Sequence, residues 1–264
     1  MDPEFWIFLG VGFLAQIVDG ALGMAYGVVS TTVLLSFGVP PAQASASVHV
    51  AEVFTTAASG TSHIIHKNVD WKLFRRLVIP GVIGGIIGAF ILTEIDGDAI
   101  RPFITGYLAI IGIFILFKAL RGRGRVESGA AREIGITAVP IGLSGGFLDA
   151  IGGGGWGPVV TSTVVASGNA PRQTIGTVNT AEFVVAVAIS ATFVVALVTG
   201  TWEGNQDIVG HAWAVGGLIT GGVIAAPLAA WIVKIIPQKT LLISVGCLIV
   251  GLAGFQTAKY LGLI

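Results

Sequence analysis

Five residues of this chain have types and spacings that can do chemistry in apolar surroundings: Asp19, His49, Glu52, Asp149 and Glu182. Two of them interrupt glycine-broken apolar runs. FLAQIVDGALGMAYG, from Phe13 to Gly27, holds Asp19, and GLSGGFLDAIGGGGWG, from Gly142 to Gly157, holds Asp149. A helix that restarts after such a break exposes unpaired main-chain N–H groups and the positive end of its dipole. That terminus suits an anion, and glycine lets a ligand come close to the backbone. The same N–H groups suit an N-cap, so each aspartate reads as a cap, as part of a site, or as both, because a cap fixes the shape of the loop. GGGGWG at 152–157 is the stronger version of this feature and ALGMAYG at 21–27 the weaker.

The remaining three follow the prolines at 41 and 171. Ser45, His49 and Glu52 share one helical face at i, i+4 and i+7, and Ile175, Asn179 and Glu182 repeat the stripe. Helical rise puts Glu52 about 15 Å into its helix, near the middle of a bilayer. A carboxylate at that depth costs several kcal/mol unless it is paired or protonated. His49, Glu52 and Glu182 are therefore proton-coupling candidates; the alternative is a protonated glutamate bonded to a neighbouring helix and a neutral interior histidine. Neutral donors and acceptors accompany them. The candidate substrate site comprises Gln16, Asp19, Gly23, Tyr26, Gln43, Ser47 and His49 from the first half, with Asp149, Gly153, Gly154, Gly155, Trp156, Gln173, Thr177 and Asn179 from the second. Tyr26 and Trp156, symmetric after the breaks, either wall the site or simply pack. No Lys or Arg falls inside an expected span except at its ends. An anion would thus be held by amides, hydroxyls and helix ends, which suits reversible transport better than tight storage. No metal centre or cofactor is assigned, although Asp19, Glu52, Asp149 and Glu182 leave a hard cation as an alternative cargo.

The elements that position these groups follow from composition. Of 264 residues 54% are hydrophobic and 11% charged, against about 25% charged in a soluble domain. Mean hydropathy is +0.90, and uncharged runs such as 77–92 and 103–117 approach the roughly 20 apolar residues that cross hydrocarbon. They do not alternate as the strands of a membrane barrel would. The reading is an all-α polytopic membrane protein with lipid as its surroundings. Zero net charge gives no field that would attract nucleic acid. A single cysteine, Cys247, excludes an intrachain disulfide and dithiol redox chemistry. No nucleophile–base constellation marks an enzyme, and GGGGWGPVVTS lacks the Lys-Ser/Thr ending of a phosphate loop, so no nucleotide drives the chain. The start, MDPEFW, lacks the positive region of a secretory signal.

The chain is written twice. At an ungapped offset of 130, Asp19 falls on Asp149, Gly23 on Gly153, Gly27 on Gly157, Thr31 on Thr161, Pro41 on Pro171, Gln43 on Gln173 and Glu52 on Glu182. Tyr26 faces Trp156, Ser47 faces Thr177 and His49 faces Asn179. Each half reads as five hydrophobic pieces, near 4–19, 22–37, 42–66, 75–93 and 100–118, then near 133–149, 154–168, 171–200, 211–232 and 240–261. The expected organisation is a first repeat at 1–120, a basic linker at 121–132 and a second repeat at 133–264, integrated into one membrane domain. Basic loops stay cytoplasmic. Lys67, Lys72, Arg75 and Arg76 place one loop inside, and the acidic Glu94, Asp96 and Asp98 place the next outside. The linker, with Arg121, Arg123, Arg125 and Arg132, is inside; Glu203 and Asp207 mark an outside loop, and Lys234 and Lys239 an inside one. Equivalent loops then lie on opposite faces, both termini lie outside, and the halves form an inverted-topology repeat, a plan common in secondary transporters. The first two pieces of each half are expected to be short, forming either a re-entrant hairpin or two short spans. Asp19 and Asp149 are expected to mark the breaks. Glycine is about twice as frequent as usual; Gly81, Gly85 and Gly88, and Gly217 and Gly221, fit faces for close helix packing, and such helices permit a homodimer.

With these motifs the sequence resembles the sulfite exporter TauE/SafE family. GFLAQIVDGALGMAYG and GLSGGFLDAIGGGGWG carry the resemblance, with the follow-on segments VPPAQASASVHVAE and NAPRQTIGTVNTAE. The first copy departs by having Met24-Ala25 where glycines would be usual. The resemblance implies a multi-pass protein of the bacterial inner (cell) membrane that exports sulfite or a small organosulfonate such as sulfoacetate. The residues themselves imply an anion-compatible transporter working by alternating access, with an anion channel, or a carrier of another small anion or of a metal cation, as the alternatives.

Overall fold

Apolar sequence with small residues at helical spacing folds the described residues into ten helices. The computed structural model describes residues 3–121, 134–202, 212–235 and 237–263. The first half forms α1 (Pro3–Leu22), α2 (Tyr26–Ser36), α3 (Pro41–Ile65), α4 (Trp71–Glu94) and α5 (Gly97–Arg121). The second forms α6 (Ala138–Gly152), α7 (Trp156–Ala166), α8 (Pro171–Thr199), α9 (Ala212–Ile235) and α10 (Gln238–Tyr260). The first turns of α7, Trp156–Thr161, wind as a π-helix. Among the described residues four helices, Trp71–Glu94, Gly97–Arg121, Pro171–Thr199 and Lys239–Tyr260, are long and apolar enough to cross a membrane. Residues 122–133, which take in the linker beyond Arg121 with Arg123, Arg125 and Arg132, lie outside the described residues, as do Glu203, Asp207 and the side chain of Lys234.

Local chemistry sets the helix ends. Pro41 and Pro171 open α3 and α8 at the position where a missing N–H costs nothing. The Asp70 carboxylate caps α4, accepting from the amides of Lys72 at 2.8 Å and Leu73 at 3.1 Å. Two sequence expectations are corrected. The first piece is not short: α1 has 20 residues, about 30 Å of helix. The aspartates are not at the breaks either. Asp19 and Asp149 lie in the last turns of α1 and α6, and the breaks follow at 23–25 and 153–155. A carboxylate one turn back reaches forward over the gap, as Asp149 does to the amides of Gly155 and Trp156.

Glycines set the packing. Gly217 meets Phe5 and Leu9, and Gly221 meets Leu9 and Phe13, so α1 and α9 run side by side in the same direction. In the other half Gly142 meets Leu77 and Pro80, and Gly146 meets Gly81 and Gly85, so α6 lies along α4 in the same way. At Gly88 a Cβ would stand 2.7 Å from the Phe147 carbonyl oxygen, so a side chain there would push the helices apart; this is the close approach that small residues allow. The first helix of each half thus packs on the fourth helix of the other.

Corresponding helices meet head to tail. Gly112 packs on Ile249, Gly246 on Leu116, and the Thr105 hydroxyl donates to Gln256 at 3.3 Å, so α5 and α10 are antiparallel. Gly60 lies against Thr180 while Asn68 lies against Gly176, so α3 and α8 are antiparallel as well.

Candidate functional site

The breaks lock together by a reciprocal exchange. The Thr31 hydroxyl donates to the Gly153 carbonyl at 2.5 Å, and the Thr161 hydroxyl donates to the Gly23 carbonyl at 3.0 Å. These four residues are two pairs at the offset of 130, so each half grips the break of the other through the same two groups. Between them Gly27 faces Gly154, and Gly157 faces Met24. Gly154 has φ +154°, and a Cβ on it would collide with the backbone of Gly27 and Val28. Glycine is required there for both reasons.

The donors at the second break are taken by Asp149. Its Oδ1 accepts from the amides of Gly155 at 2.7 Å and Trp156 at 2.9 Å. The Asp19 carboxylate accepts from the amide of Tyr26, the residue that corresponds to Trp156. In this state each helix start is served by an internal carboxylate, and both side chains are buried.

Asp149 also ties the break to α3. Its Oδ2 lies 3.4 Å from His49 Nε2, which lies 3.8 Å from Glu52 Oε2. His49 Nδ1 is 2.8 Å from the Ser45 carbonyl oxygen. A carbonyl only accepts, so Nδ1 carries the proton in that bond and Nε2 faces the two carboxylates. The Ser45 hydroxyl donates to the Ala150 carbonyl at 2.6 Å, fixing the same crossing. One donor atom each from His49, Glu52 and Asp149 lies within 4.8 Å of the others, close enough to embrace one small cation. Glu52 Oε2 has no hydrogen-bond partner, and Glu52 Oε1 lies over Gly27. Asp19, Glu52 and Asp149 all lie within electrostatic reach of Glu182. Four buried carboxylates therefore share one centre, and among the described residues His49 is the only basic side chain paired with any of them.

The other expected site residues divide into groups. Gln16 and Asn179 are buried with both amide atoms unpartnered. Tyr26 donates its hydroxyl to the Leu218 carbonyl on α9 at 3.0 Å, and Trp156 donates its indole N–H to the Val178 carbonyl on α8 at 3.0 Å. Both rings are buried, and the Trp156 ring fills the space above Gly81 of α4. Gln43 and Ser47 line a separate cavity of about 290 Å³ with Ser190 and Trp202. Thr177, the counterpart of Ser47, is buried and accepts from the Asp70 amide at 2.8 Å, and Gln173 is exposed. Gly23, at φ +65°, packs on Ile175. Sequence reasoning missed two residues of α5. The Tyr107 hydroxyl donates to the Gly154 carbonyl at 3.3 Å, and Lys118 reaches Met24 and Ser162 at the first break. Neither belongs to the repeated motif, so the internal alignment gives no signal for them.

This paired, carboxylate-bridged arrangement of broken helices has a match among known proteins. Residues 8–256 fit the family described as Sulfite exporter TauE/SafE. The chain belongs to the TauE/SafE family. A relative in Bacillus subtilis (strain 168), described as "Probable membrane transporter protein YtnM", is 46% identical over 230 residues, covering 86% of this chain and 74% of its own length. No solved structure is a significant match. As a TauE/SafE protein the chain is a membrane transporter, and the helices of the described residues supply the polytopic scaffold that this requires.

Proposed function

We propose that this TauE/SafE protein is a secondary carrier that exports a small sulfur-containing anion, sulfite or an organosulfonate such as sulfoacetate, across the bacterial cell membrane by alternating access. The observation that carries the reading is the reciprocal grip of Thr31 on Gly153 and Thr161 on Gly23. Two broken helices that hold each other by equivalent contacts can part on one side or on the other, which is the motion that inverted repeats perform. The antiparallel pairing of α5 with α10 and of α3 with α8 supports that inversion. The charges of the loops at 67–76 and 94–98 support the orientation, with both termini outside.

The substrate follows the family resemblance together with the chemistry of the breaks. When the breaks part, Asp19 and Asp149 release the amides that they now occupy, and a small oxyanion can take their place. An anion cannot enter beside four ionised carboxylates, so the centre must carry protons when the substrate is bound. His49, Glu52 and Glu182 hold those protons in this reading. The unpartnered groups of Gln16 and Asn179 complete the polar lining.

Reconstitution tests it. Proteoliposomes are expected to take up labelled sulfite or sulfoacetate with saturation, and the double substitution Glu52→Gln with Glu182→Gln is expected to reduce the rate at least about a hundredfold while the protein stays folded, because a coupling step rather than packing is lost. Full flux in that double variant would remove both residues from the mechanism. Selective uptake of divalent cations, or single-channel currents in place of saturable flux, would contradict the reading itself.

A further inference from the structure

Among the described residues Lys118 has no counter-ion. It lies three residues from the end of α5, half-buried, and its ammonium group donates to two uncharged partners. Nζ is 3.2 Å from Ser162 Oγ on α7 and 3.7 Å from Met24 Sδ in the first break. Among the described residues no carboxylate pairs with it. Withdrawing an ammonium group from water without a partner is unfavourable, and long lysines near helix ends ordinarily turn to the interface instead. This one turns inward to the break. A neutral hydroxyl and a thioether leave its positive charge uncompensated, and the thioether is a weak acceptor. The four buried carboxylates of the centre do not reach it.

Its place in the fold gives the charge a use. The Met24 and Ser162 that it touches sit beside the Thr161–Gly23 grip, where the first break closes on α7. The basic end of α5, with Arg121, marks the cytoplasmic side. A substrate leaving the cell meets this end first. Tyr107, about three turns earlier on the same helix, rests on the other break. One helix therefore touches both breaks, with a cation at the inner one and a phenol at the other.

We propose that Lys118 and Ser162 form the cytoplasmic capture site for the substrate, a small oxyanion with a sulfite or sulfonate head group. The ammonium group supplies the charge, and the Ser162 hydroxyl donates to a second oxygen of the anion. The site deepens the carrier reading and rests on it for the direction of transport, but the binding step stands alone. Capture here precedes contact with the protonated centre, so the charge governs affinity from the inside rather than the rate of turnover.

The test has two arms. In the first, labelled sulfite efflux is measured from proteoliposomes at varied internal concentration. Lys118→Gln is expected to raise the internal half-saturation concentration about tenfold or more, the usual effect of losing one charge-assisted hydrogen bond, with the maximal rate kept within about threefold. Lys118→Arg is expected to restore it to near the parent value, and Ser162→Ala to give a smaller rise. A half-saturation concentration unchanged in Lys118→Gln overturns the inference and leaves the carrier reading intact. The second arm needs no transport. Purified parent protein is treated with an amine-reactive reagent, with and without sulfoacetate, and modification of Lys118 is read by mass spectrometry against Lys259. Selective protection of Lys118 by sulfoacetate supports the site. Equal modification with and without the anion overturns it, whatever the flux assay gives.

Discussion

Replacing Asp149 by alanine is expected to unfold or severely destabilise the protein, whereas Asp149→Asn is expected to preserve the fold. Oδ1 alone satisfies the amides of Gly155 and Trp156, deep in the molecule. Each buried donor left without an acceptor costs about 1–3 kcal/mol. Two of them, with the contact to His49 lost as well, make a loss on the order of 4 kcal/mol, a large share of a typical total stability of about 5–15 kcal/mol. Asparagine keeps an acceptor oxygen in place of Oδ1 and so keeps the caps, but not the charge facing His49. Thermal unfolding in detergent separates the two variants. An alanine variant that melts within about two degrees of the parent would show that water or another group serves those amides.

Gly154→Ala is the second large effect. Alanine would have to hold φ near +154° and place its Cβ inside the backbone of Gly27 and Val28. Main chain on the opposite side cannot rotate away, so the reciprocal grip must open. A cost above about 4 kcal/mol belongs to this kind of fault. Two controls isolate the causes. Gly168 has φ +92° with nothing within 4 Å, so its alanine variant carries only the backbone penalty, about 1–2 kcal/mol. Gly251 has neither a positive φ nor a near neighbour, and its alanine variant should melt like the parent. Expression and melting of the three variants are expected in the order Gly251, Gly168, Gly154. A stable Gly154→Ala protein would mean that the breaks do not meet as described.

The helices were legible because hydropathy and the glycine breaks mark their bounds directly. The repeat was legible because Asp, Gly, Thr, Pro and Glu recur at one offset. The site was legible only in part. Asp149, His49 and Glu52 are brought together, but the alignment says which residues correspond and not which ones touch. His49 meets the aspartate of the other half, a contact that depends on how α3 crosses α6. Ser47 was grouped with His49, yet residues two apart on a helix do not share a face. Ser47 lines the cavity with Gln43 while His49 faces the breaks. Thr31 and Thr161 were visible as a matched pair, but a threonine in an apolar helix usually bonds its own backbone, as Thr32 does to Val28 at 2.6 Å. Only the fold reveals that this pair reaches across. Lys118 lies outside the repeated motif, and its turn toward Met24 depends on where α5 lies against the first break.

Counterflow of labelled sulfite in proteoliposomes reaches the central claim most directly, since a carrier whose two broken helices open alternately must return through its centre after each delivery. Unlabelled sulfite loaded on the far side is expected to accelerate entry of the label several-fold, with the acceleration lost in the Glu52→Gln, Glu182→Gln double variant. Entry that rises linearly with concentration and ignores the far-side substrate would contradict the account and favour an open pore.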